Sequence, residues 1–577
     1  MTPFGPPDES SNAMTEIIDL SMNEGEAPPR QCLRVLERIG PTILRKYADP
    51  APLEEAYAAY LGIAPANVLA TTGGDDAIDR VMRAFLAPGQ EMVFPTPTFE
   101  MVPRCAQMAR GDIVPVEYEW GKLPHDEILA AVNGRTGLVA VLTPDNPTGR
   151  AFSTRSLLRL AGALPPKVTL MADLAYAEFA DEDPTGALLE VPRAIMIRTL
   201  SKAWGLAGLR VGFAVGVKER IDVLRRFGGP YALTGPSIAI ALDRLRNGVG
   251  EMRGFVEFVR TRRERLASVI RRVGGVPEPS QTNFVLASFP DARWIVRGMA
   301  AQGVLVRHFA HLPEYARITV PRDDGEFRRV AGALECLDRP EAVLFDMDGV
   351  LADVGRSYRE AIARTCASFG VKAGRAEIGA AKAAGHANDD WAVTHALVGA
   401  AGVEAPFEEV KRRFEKLYQG DERQPGLRRH ETLIPDRALL EDLARSYRLG
   451  IVTGRPRRDA ERFLREQGVR GLFSAVVCRE DGPLKPNPEP VEIALKLLEA
   501  RTAWLLGDTP DDVRAAAGAR VVPVGVVPVG GGGGDPAEGD DGTADDDARA
   551  AIWTALEAAG AARVVEANAD FGGMFDG

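Results

Sequence analysis

Short apolar runs alternate with helix-length amphipathic stretches along most of this chain, and the alternation stops and restarts once. Val139-Ala140-Val141-Leu142-Thr143, Val168-Thr169-Leu170-Met171-Ala172, Ala194-Ile195-Met196-Ile197-Arg198 and Val211-Gly212-Phe213-Ala214-Val215 have strand length and strand composition. Runs this apolar, separated by helices, predict a largely parallel sheet covered on both faces. The break falls at Leu337-Asp338-Arg339-Pro340. A second series then opens with Ala342-Val343-Leu344-Phe345 and continues at Leu449-Gly450-Ile451-Val452, Ala503-Trp504-Leu505-Leu506 and Val521-Val522-Pro523-Val524-Gly525-Val526. The expected fold class is therefore α/β twice over: residues 16–338, then residues 340–577. The stretch from about 357 to 432 reads as helical without a strand, which is the position of an inserted cap. At 577 residues the chain has room for about four compact units. Ligand sites in such sheets lie at the carboxyl ends of strands.

Composition narrows the classes of partner. The formal net charge is −11 and five cysteines are scattered without a CxxC pair. No basic footprint for nucleic acid or anionic lipid is present, so neither is expected as a partner. Unpaired cysteines suit a reducing compartment, and a cytoplasmic location is expected. No apolar run reaches the roughly 18 residues of a membrane span. Residues 1–15 are rich in Pro, Ser and acid and read as a disordered lead without a targeting pattern. Residues 530–548 are Gly- and Asp-rich, lack the Lys-Ser/Thr ending of a P-loop, and read as a flexible insertion. An amphipathic helix is expected around Trp553, followed by an apolar run at Arg563-Val564-Val565.

Lys202 lies in Thr199-Leu200-Ser201-Lys202-Ala203-Trp204-Gly205-Leu206-Ala207-Gly208-Leu209-Arg210. Two hydroxyls and an Arg can bind a phosphate here, and the small residues leave room for a cofactor. That setting suits a lysine joined covalently to pyridoxal phosphate. Gly73-Gly74-Asp75-Asp76 opens a helix-like stretch, a junction that presents N–H groups to an anion. Phe99 could stack on the pyridine ring, and Asn146, after a predicted strand, could bond its phenolic oxygen. Asp173 ends another strand, where a carboxylate would keep the ring nitrogen protonated. Tyr176 could reach the same oxygen as Asn146.

At these residues, over about 15–338, the chain resembles the fold-type I pyridoxal phosphate aminotransferases, in their histidinol-phosphate aminotransferase branch. Asn23-Glu24, Arg45-Lys46-Tyr47-Ala48-Asp49-Pro50, Pro230-Tyr231, Thr282-Asn283-Phe284, Val306-Arg307 and Arg317-Ile318-Thr319-Val320 carry the same resemblance. It implies a large, mostly parallel domain plus a small α/β domain. It implies that Lys202 holds the cofactor, Asp173 pairs with its ring nitrogen, and Gly74, Asp75, Thr199, Ser201 and Arg210 hold its phosphate. Phe99, Asn146 and Tyr176 would line the ring. Tyr47 would reach the phosphate of a neighbouring subunit in a homodimer, and Arg317, with Arg307 and Asn23, would bind substrate. The chain departs from the pattern at Pro321-Arg322-Asp323 and in the short stretch between Arg307 and Arg317, where His308 and His311 read as loop residues. Glutamate with imidazole-acetol phosphate is the first expected substrate pair; aromatic amino acids and a related decarboxylase are the alternatives.

Asp346 and Asp348, just past an apolar strand, can serve as a nucleophile and a proton shuttle. Asp508 could complete a Mg²⁺ site with Asp346. Thr453 is a phosphate donor and Lys485 a counter-charge. The ordered set Asp346-Met347-Asp348-Gly349, Thr453, Lys485-Pro486 and Gly507-Asp508-Thr509-Pro510-Asp511-Asp512 resembles the haloacid dehalogenase superfamily, phosphatase branch. That implies a Rossmann-like domain with a helical cap, Asp346 as nucleophile, Asp348 as acid/base and Asp512 supporting a metal site of Asp346, Asp348 and Asp508. Its substrate would be a small phosphate ester. Lys382, Gly385, His386, Asn388, Asp389, Asp390 and Trp391 are candidates for specificity in the cap. A binding or regulatory role for this half is the alternative to catalysis.

Overall fold

The computed structural model describes residues 17–374, 377–378, 381, 389–422, 424–528, 543–567 and 572–575. By packing, the chain forms two compact units. One holds residues 19–290 and 306–329; the other holds 291–305, 330–577 and the N-terminal residues to Ile18.

In the first unit a seven-stranded sheet runs, edge to edge, Val68–Thr71, Gly212–Gly216, Ala194–Thr199, Thr169–Asp173, Thr136–Leu142, Glu91–Thr96 and Asp112–Glu117. Gly212–Gly216 is antiparallel to both neighbours, and the other pairs are parallel. Thr136–Leu142 and Thr169–Asp173 are buried at every residue. Both faces are therefore covered, which is why these strands read as unbroken apolar runs. Helix Gly73–Phe85 packs Ile78, Val81 and Met82 into a core with Phe94, Leu138, Met171 and Ile197. A second, antiparallel sheet has the order Arg307–Phe309, Leu312–Thr319, Phe284–Ser288, Val276–Pro277. Its register sets Arg307 opposite Arg317. His308 therefore lies in a strand, not in a loop as the sequence suggested; only His311 falls in the turn.

In the second unit six parallel strands run Phe473–Val477, Arg448–Val452, Ala342–Phe345, Ala503–Gly507, Val522–Val527, Arg563–Glu566. Phe345 pairs with Ile451 on one side and Leu506 on the other. Asp346, Thr453 and Asp508 are consequently delivered to one edge of the sheet, the carboxyl ends of adjacent strands. Helices Tyr358–Ser368, Asp390–Ala400 and Phe407–Gln419 lie between the first two of these strands in sequence. The segment is not wholly helical: Thr432–Leu433 pairs antiparallel with Ala352–Asp353 where the chain leaves and re-enters the sheet. Lys382, Gly385, His386 and Asn388 lie outside the described residues. So do residues 530–542, but a helix already begins at Thr543, six residues inside the segment read as a flexible insertion.

The packing boundary does not follow the sequence break near 339. Helix Ala292–Ala301 and the last turns of helix Asp324–Asp338 belong to the second unit. There Trp294 and Trp504 meet edge to face at 5.2 Å. Their indole N–H groups donate to the carbonyls of Leu337 and Cys336, at 3.2 and 2.8 Å. Each ring thus buries its apolar area without orphaning its donor. Among the described residues, no helix is long and apolar enough to cross a membrane.

Candidate active sites

The backbone around Lys202 follows the strand Ala194–Thr199. Lys202 Nζ donates to the carbonyls of Met22 and Asn23, each at 3.2 Å, and lies 5.9 Å from the Tyr176 ring centre. Asn23 is fully buried and joins several elements. Its side chain pairs with the Tyr176 hydroxyl at 3.1 Å and with Thr319 Oγ1 at 2.8 Å, and Asn283 Nδ2 donates to its carbonyl at 3.2 Å. Arg317 donates to Asn146 Oδ1 and to the carbonyl of Ser21. Lys202, Asn23 and Tyr176 are thereby joined in one hydrogen-bonded group, and Arg317 with Asn146 forms a second, both anchored on the Ser21-Met22-Asn23 backbone.

Asp173 is buried, and burial lifts its carboxyl to about 7, with a backbone N–H from Ala175 and the Lys202 charge opposing. A buried carboxyl in this state lacks a cation close enough to hold it ionised, and a protonated ring nitrogen would supply one. Asp145 is likewise raised to about 7 by burial, though Thr148 donates to it from both side chain and backbone. Arg317 is pulled down to about 10 by burial, and its Nε is a buried donor without a hydrogen-bond partner. That leaves donor capacity for an anion. Arg307 lies beside it, 3.7 Å from Glu100.

The phosphate-binding candidates form a cradle at the start of helix Gly73–Phe85. Arg210 donates to Asp75 at 3.1 Å, and Thr199 Oγ1 donates to Ser201 Oγ at 2.9 Å. Gly73 has φ of +82°, and a Cβ there would lie 2.5 Å from Arg210 Nη2. Only glycine lets the guanidinium approach this closely. Gly74 follows in the helix's first turn, and Phe99 is half-buried against the sheet core. Tyr47 stands apart, 79% exposed, stacked on Tyr231 at 4.2 Å. The donor set therefore fits pyridoxal phosphate: an amine, a buried acid, and hydroxyl, guanidinium and helix N–H groups.

In the second unit, Asp346, Asp508 and Asp512 each offer an oxygen within 4.8 Å of the others. Clustered carboxylates of this kind are hard ligands suited to Mg²⁺. Asp348 is drawn elsewhere: its Oδ1 accepts from Arg455 Nε at 2.6 Å. Lys485 Nζ, buried, donates to Asp346 at 2.7 Å and pairs with Asp512. Burial raises Asp346 to about 7; Lys485 opposes this while Asp512 and Asp348 add to it. For Lys485, burial works against the charge, but Asp346 and Asp512 outweigh it and raise its pKa. Asp512 is fixed by a capping box, its carboxylate accepting from the Thr509 N–H at 3.0 Å and hydroxyl at 2.6 Å. Thr453 is buried, and its hydroxyl accepts from the Arg455 N–H at 3.1 Å. In the cap, Asp389 caps helix Asp390–Ala400 and accepts from Arg479 at 3.1 Å. Trp391 lies between Lys411 and Arg479, at 4.1 and 4.4 Å.

Sequence reasoning assigned no role to Asn283, Thr319, Asp145, Glu431 or Arg455. Asn283 and Thr319 sit inside motifs already singled out, and Asp145 directly precedes Asn146. Arg455 stands two residues after Thr453, a spacing that could have drawn attention.

Comparison with known proteins agrees with this geometry. The family model described as aminotransferase class I and II matches residues 17–334, and that described as haloacid dehalogenase-like hydrolase matches residues 340–520. A histidinol-phosphate aminotransferase from Ruegeria pomeroyi is 34% identical over 340 residues, covering 57% of this chain and 94% of that protein. An imidazoleglycerol-phosphate dehydratase from Phytophthora nicotianae is 44% identical over 195 residues, covering 32% of this chain and 43% of that protein. The crystal structure of histidinol-phosphate aminotransferase from Sinorhizobium meliloti in complex with pyridoxal-5'-phosphate superposes with a TM-score of 0.52 at 27% identity, covering 55% of this chain and 90% of that one. The chain belongs to the class I and II aminotransferases, and carries behind that region, in the same polypeptide, a haloacid dehalogenase-like hydrolase.

Proposed function

We propose that the chain is a bifunctional enzyme. Its first site exchanges an amino group between histidinol phosphate and 2-oxoglutarate, and its second hydrolyses a small phosphomonoester, histidinol phosphate itself. The observation that carries the first half is Arg317. A buried guanidinium with an uncommitted donor bonds Asn146 Oδ1 and the Ser21 carbonyl, next in the chain to the Met22 carbonyl that accepts from Lys202, and a relative 34% identical to this chain is a histidinol-phosphate aminotransferase.

When bound, pyridoxal phosphate supplies an electron sink that acidifies the Cα–H of an attached amine. Asp173 would hold the ring nitrogen, and Gly74, Asp75, Thr199, Ser201 and Arg210 the phosphate. Lys202 Nζ would take the Cα proton and give it back two bonds away, on the far side of the transferred nitrogen. Arg317, with Arg307 across the strand pair, binds the anionic end of the substrate. Phe99 would cover the ring face. Tyr47 and Tyr231, stacked and exposed beside exposed Leu44, support a homodimer in which Tyr47 reaches a neighbouring subunit's cofactor. The five cysteines are free and buried, which supports the reading of a reducing, cytoplasmic setting.

At the second site Asp346 attacks phosphorus while Asp348 protonates the leaving oxygen. Thr453 and Lys485 bind the phosphoryl oxygens, and Asp346, Asp508 and Asp512 would hold Mg²⁺. A shared pathway is chemically sensible, because amino transfer onto imidazole-acetol phosphate gives the ester that the second site would cleave. The test is phosphate release by purified full-length protein. Histidinol phosphate is expected to be cleaved well ahead of glycerol phosphate and sugar phosphates. Equal rates on all of them would reject the pathway link while leaving the phosphatase in place.

A further inference from the structure

Besides the Lys485 cluster, the second unit holds another deeply buried ionic network, one that neither nucleophile nor metal uses. Arg455 and Glu431 have side chains only 1% and 4% exposed, paired at 2.9 Å through Nη1 and Oε2. Arg455 Nε also donates to Asp348 Oδ1 at 2.6 Å. Its guanidinium lies over the Tyr358 ring at 4.9 Å. The other Glu431 oxygen accepts from the Ser357 hydroxyl at 2.8 Å and the Tyr418 hydroxyl at 3.0 Å. Every partner of this glutamate is thus a fixed donor.

The position of these groups in the chain gives the network its meaning. Glu431 immediately precedes strand Thr432–Leu433, where the cap returns to the sheet. Ser357 and Tyr358 begin the cap's first helix, and Tyr418 lies in the last turn of helix Phe407–Gln419. Asp348 follows the nucleophile by two residues in a turn that includes Gly349, whose φ is +78°. A carboxylate on such a turn, 27% exposed, would rotate freely without a clamp. A planar guanidinium fixes direction as well as charge.

Resting on the phosphatase reading, we propose that Arg455 is a positioning residue for Asp348, and that Glu431 ties this positioning to the root of the cap. Arg455 holds one oxygen of Asp348 so that the other faces the leaving group. In the step it serves, an Asp346 oxygen forms a bond to phosphorus and the ester P–O bond breaks. The electron pair goes to the leaving oxygen, which takes the proton from Asp348 and leaves a carboxylate. Arg455 gives up no proton.

The test compares kcat/KM for phenyl phosphate and p-nitrophenyl phosphate in the full-length protein with Mg²⁺. Nitrophenolate leaves without needing a proton, whereas phenolate relies on the acid. Arg455→Met is expected to lower the phenyl phosphate value about tenfold more than the p-nitrophenyl phosphate value, in the same direction as Asp348→Asn. Arg455→Lys should restore part of the difference, and Glu431→Gln should shift the ratio the same way by less. Equal losses on both esters, or none, would overturn the proposal. Should Arg455→Met fail to fold, an unchanged ratio in both Arg455→Lys and Glu431→Gln overturns it as well. Absence of phosphate release from either ester by the unaltered protein would overturn the phosphatase reading and this proposal with it, before any variant is compared.

Discussion

Asp173 and Asp346 are both carboxyls taken out of water at strand ends, and both are lifted to about 7. Asp346 has Lys485 at 2.7 Å, while Asp173 is opposed by a backbone N–H from Ala175 and the Lys202 charge. The raised Asp173 carboxyl predicts a pH effect on the cofactor-free protein. Between about pH 4 and 7 folded Asp173 keeps a proton that the unfolded chain has lost. Its contribution to stability is complete below that window, declines as pH rises through about 7, and is flat beyond; the total is of order a few kcal/mol. Asp173→Asn should therefore flatten part of the decline in urea midpoint between pH 5 and pH 8, leaving the shares due to Asp145 and Asp346. An unchanged slope would mean that the carboxyl is not held as described. Gly349 gives a second residue-scale prediction. A Cβ there would fall 2.3 Å from Asp508 Oδ2, at φ of +78°. Gly349→Ala should cost about 1 kcal/mol from backbone strain. It should also displace a metal-site carboxylate, so phosphate release should fall by far more than stability does, with transamination unaffected. Much of this was legible in sequence because Lys202, Asp173, Asp346 and Asp508 stand in local motifs. Arg455 and Glu431 are 24 residues apart and join only when the cap closes back on the sheet, so no local pattern announced them.

At the scale of elements, the strands read correctly were those buried on both faces. Thr136–Leu142, Ala194–Thr199, Ala342–Phe345 and Ala503–Gly507 are wholly buried, and each carries at least four consecutive apolar residues. Asp112–Glu117 went unread because it lies at a sheet edge, half-exposed and containing Pro115, where proline is tolerated. Glu91–Thr96 was hidden by Glu91 and Pro95, although its centre is buried. The helix beginning at Thr543 shows the opposite error: acidic composition around 543–548 suggested flexibility, but the segment precedes the apolar turns that bury Leu556. The capping box of helix Pro510–Gly518 offers a test at this scale. Thr509→Ala should lower stability by about 1 kcal/mol. It should also raise the Mg²⁺ concentration that phosphate release requires, because the Thr509 hydroxyl holds Asp512 in place. A stability loss with an unchanged Mg²⁺ requirement would separate the cap from the metal site.

At the scale of the whole molecule, the sequence break and the packing boundary differ. Trp294 and helix Ala292–Ala301 precede the break, yet they pack with Trp504 and the six-stranded sheet. Arg563 extends the same contact, donating to Asp291 at 2.9 Å. The hydrolase region is therefore completed by residues from the aminotransferase region, and cutting the chain at 340 would bare Trp504. Trp504→Ala in the intact chain should destabilise the second unit by about 3–5 kcal/mol and abolish phosphate release at temperatures where transamination persists. The picture of two independent active sites in one chain makes a reciprocal prediction. It is tested most directly by assaying both reactions in folded Lys202→Ala and Asp346→Asn proteins supplied with histidinol phosphate, 2-oxoglutarate and Mg²⁺. The expected result is reciprocal: Lys202→Ala loses amino transfer and keeps phosphate release, and Asp346→Asn does the reverse. Loss of both activities from either single change in a folded protein, or survival of the activity its site should carry, would contradict it.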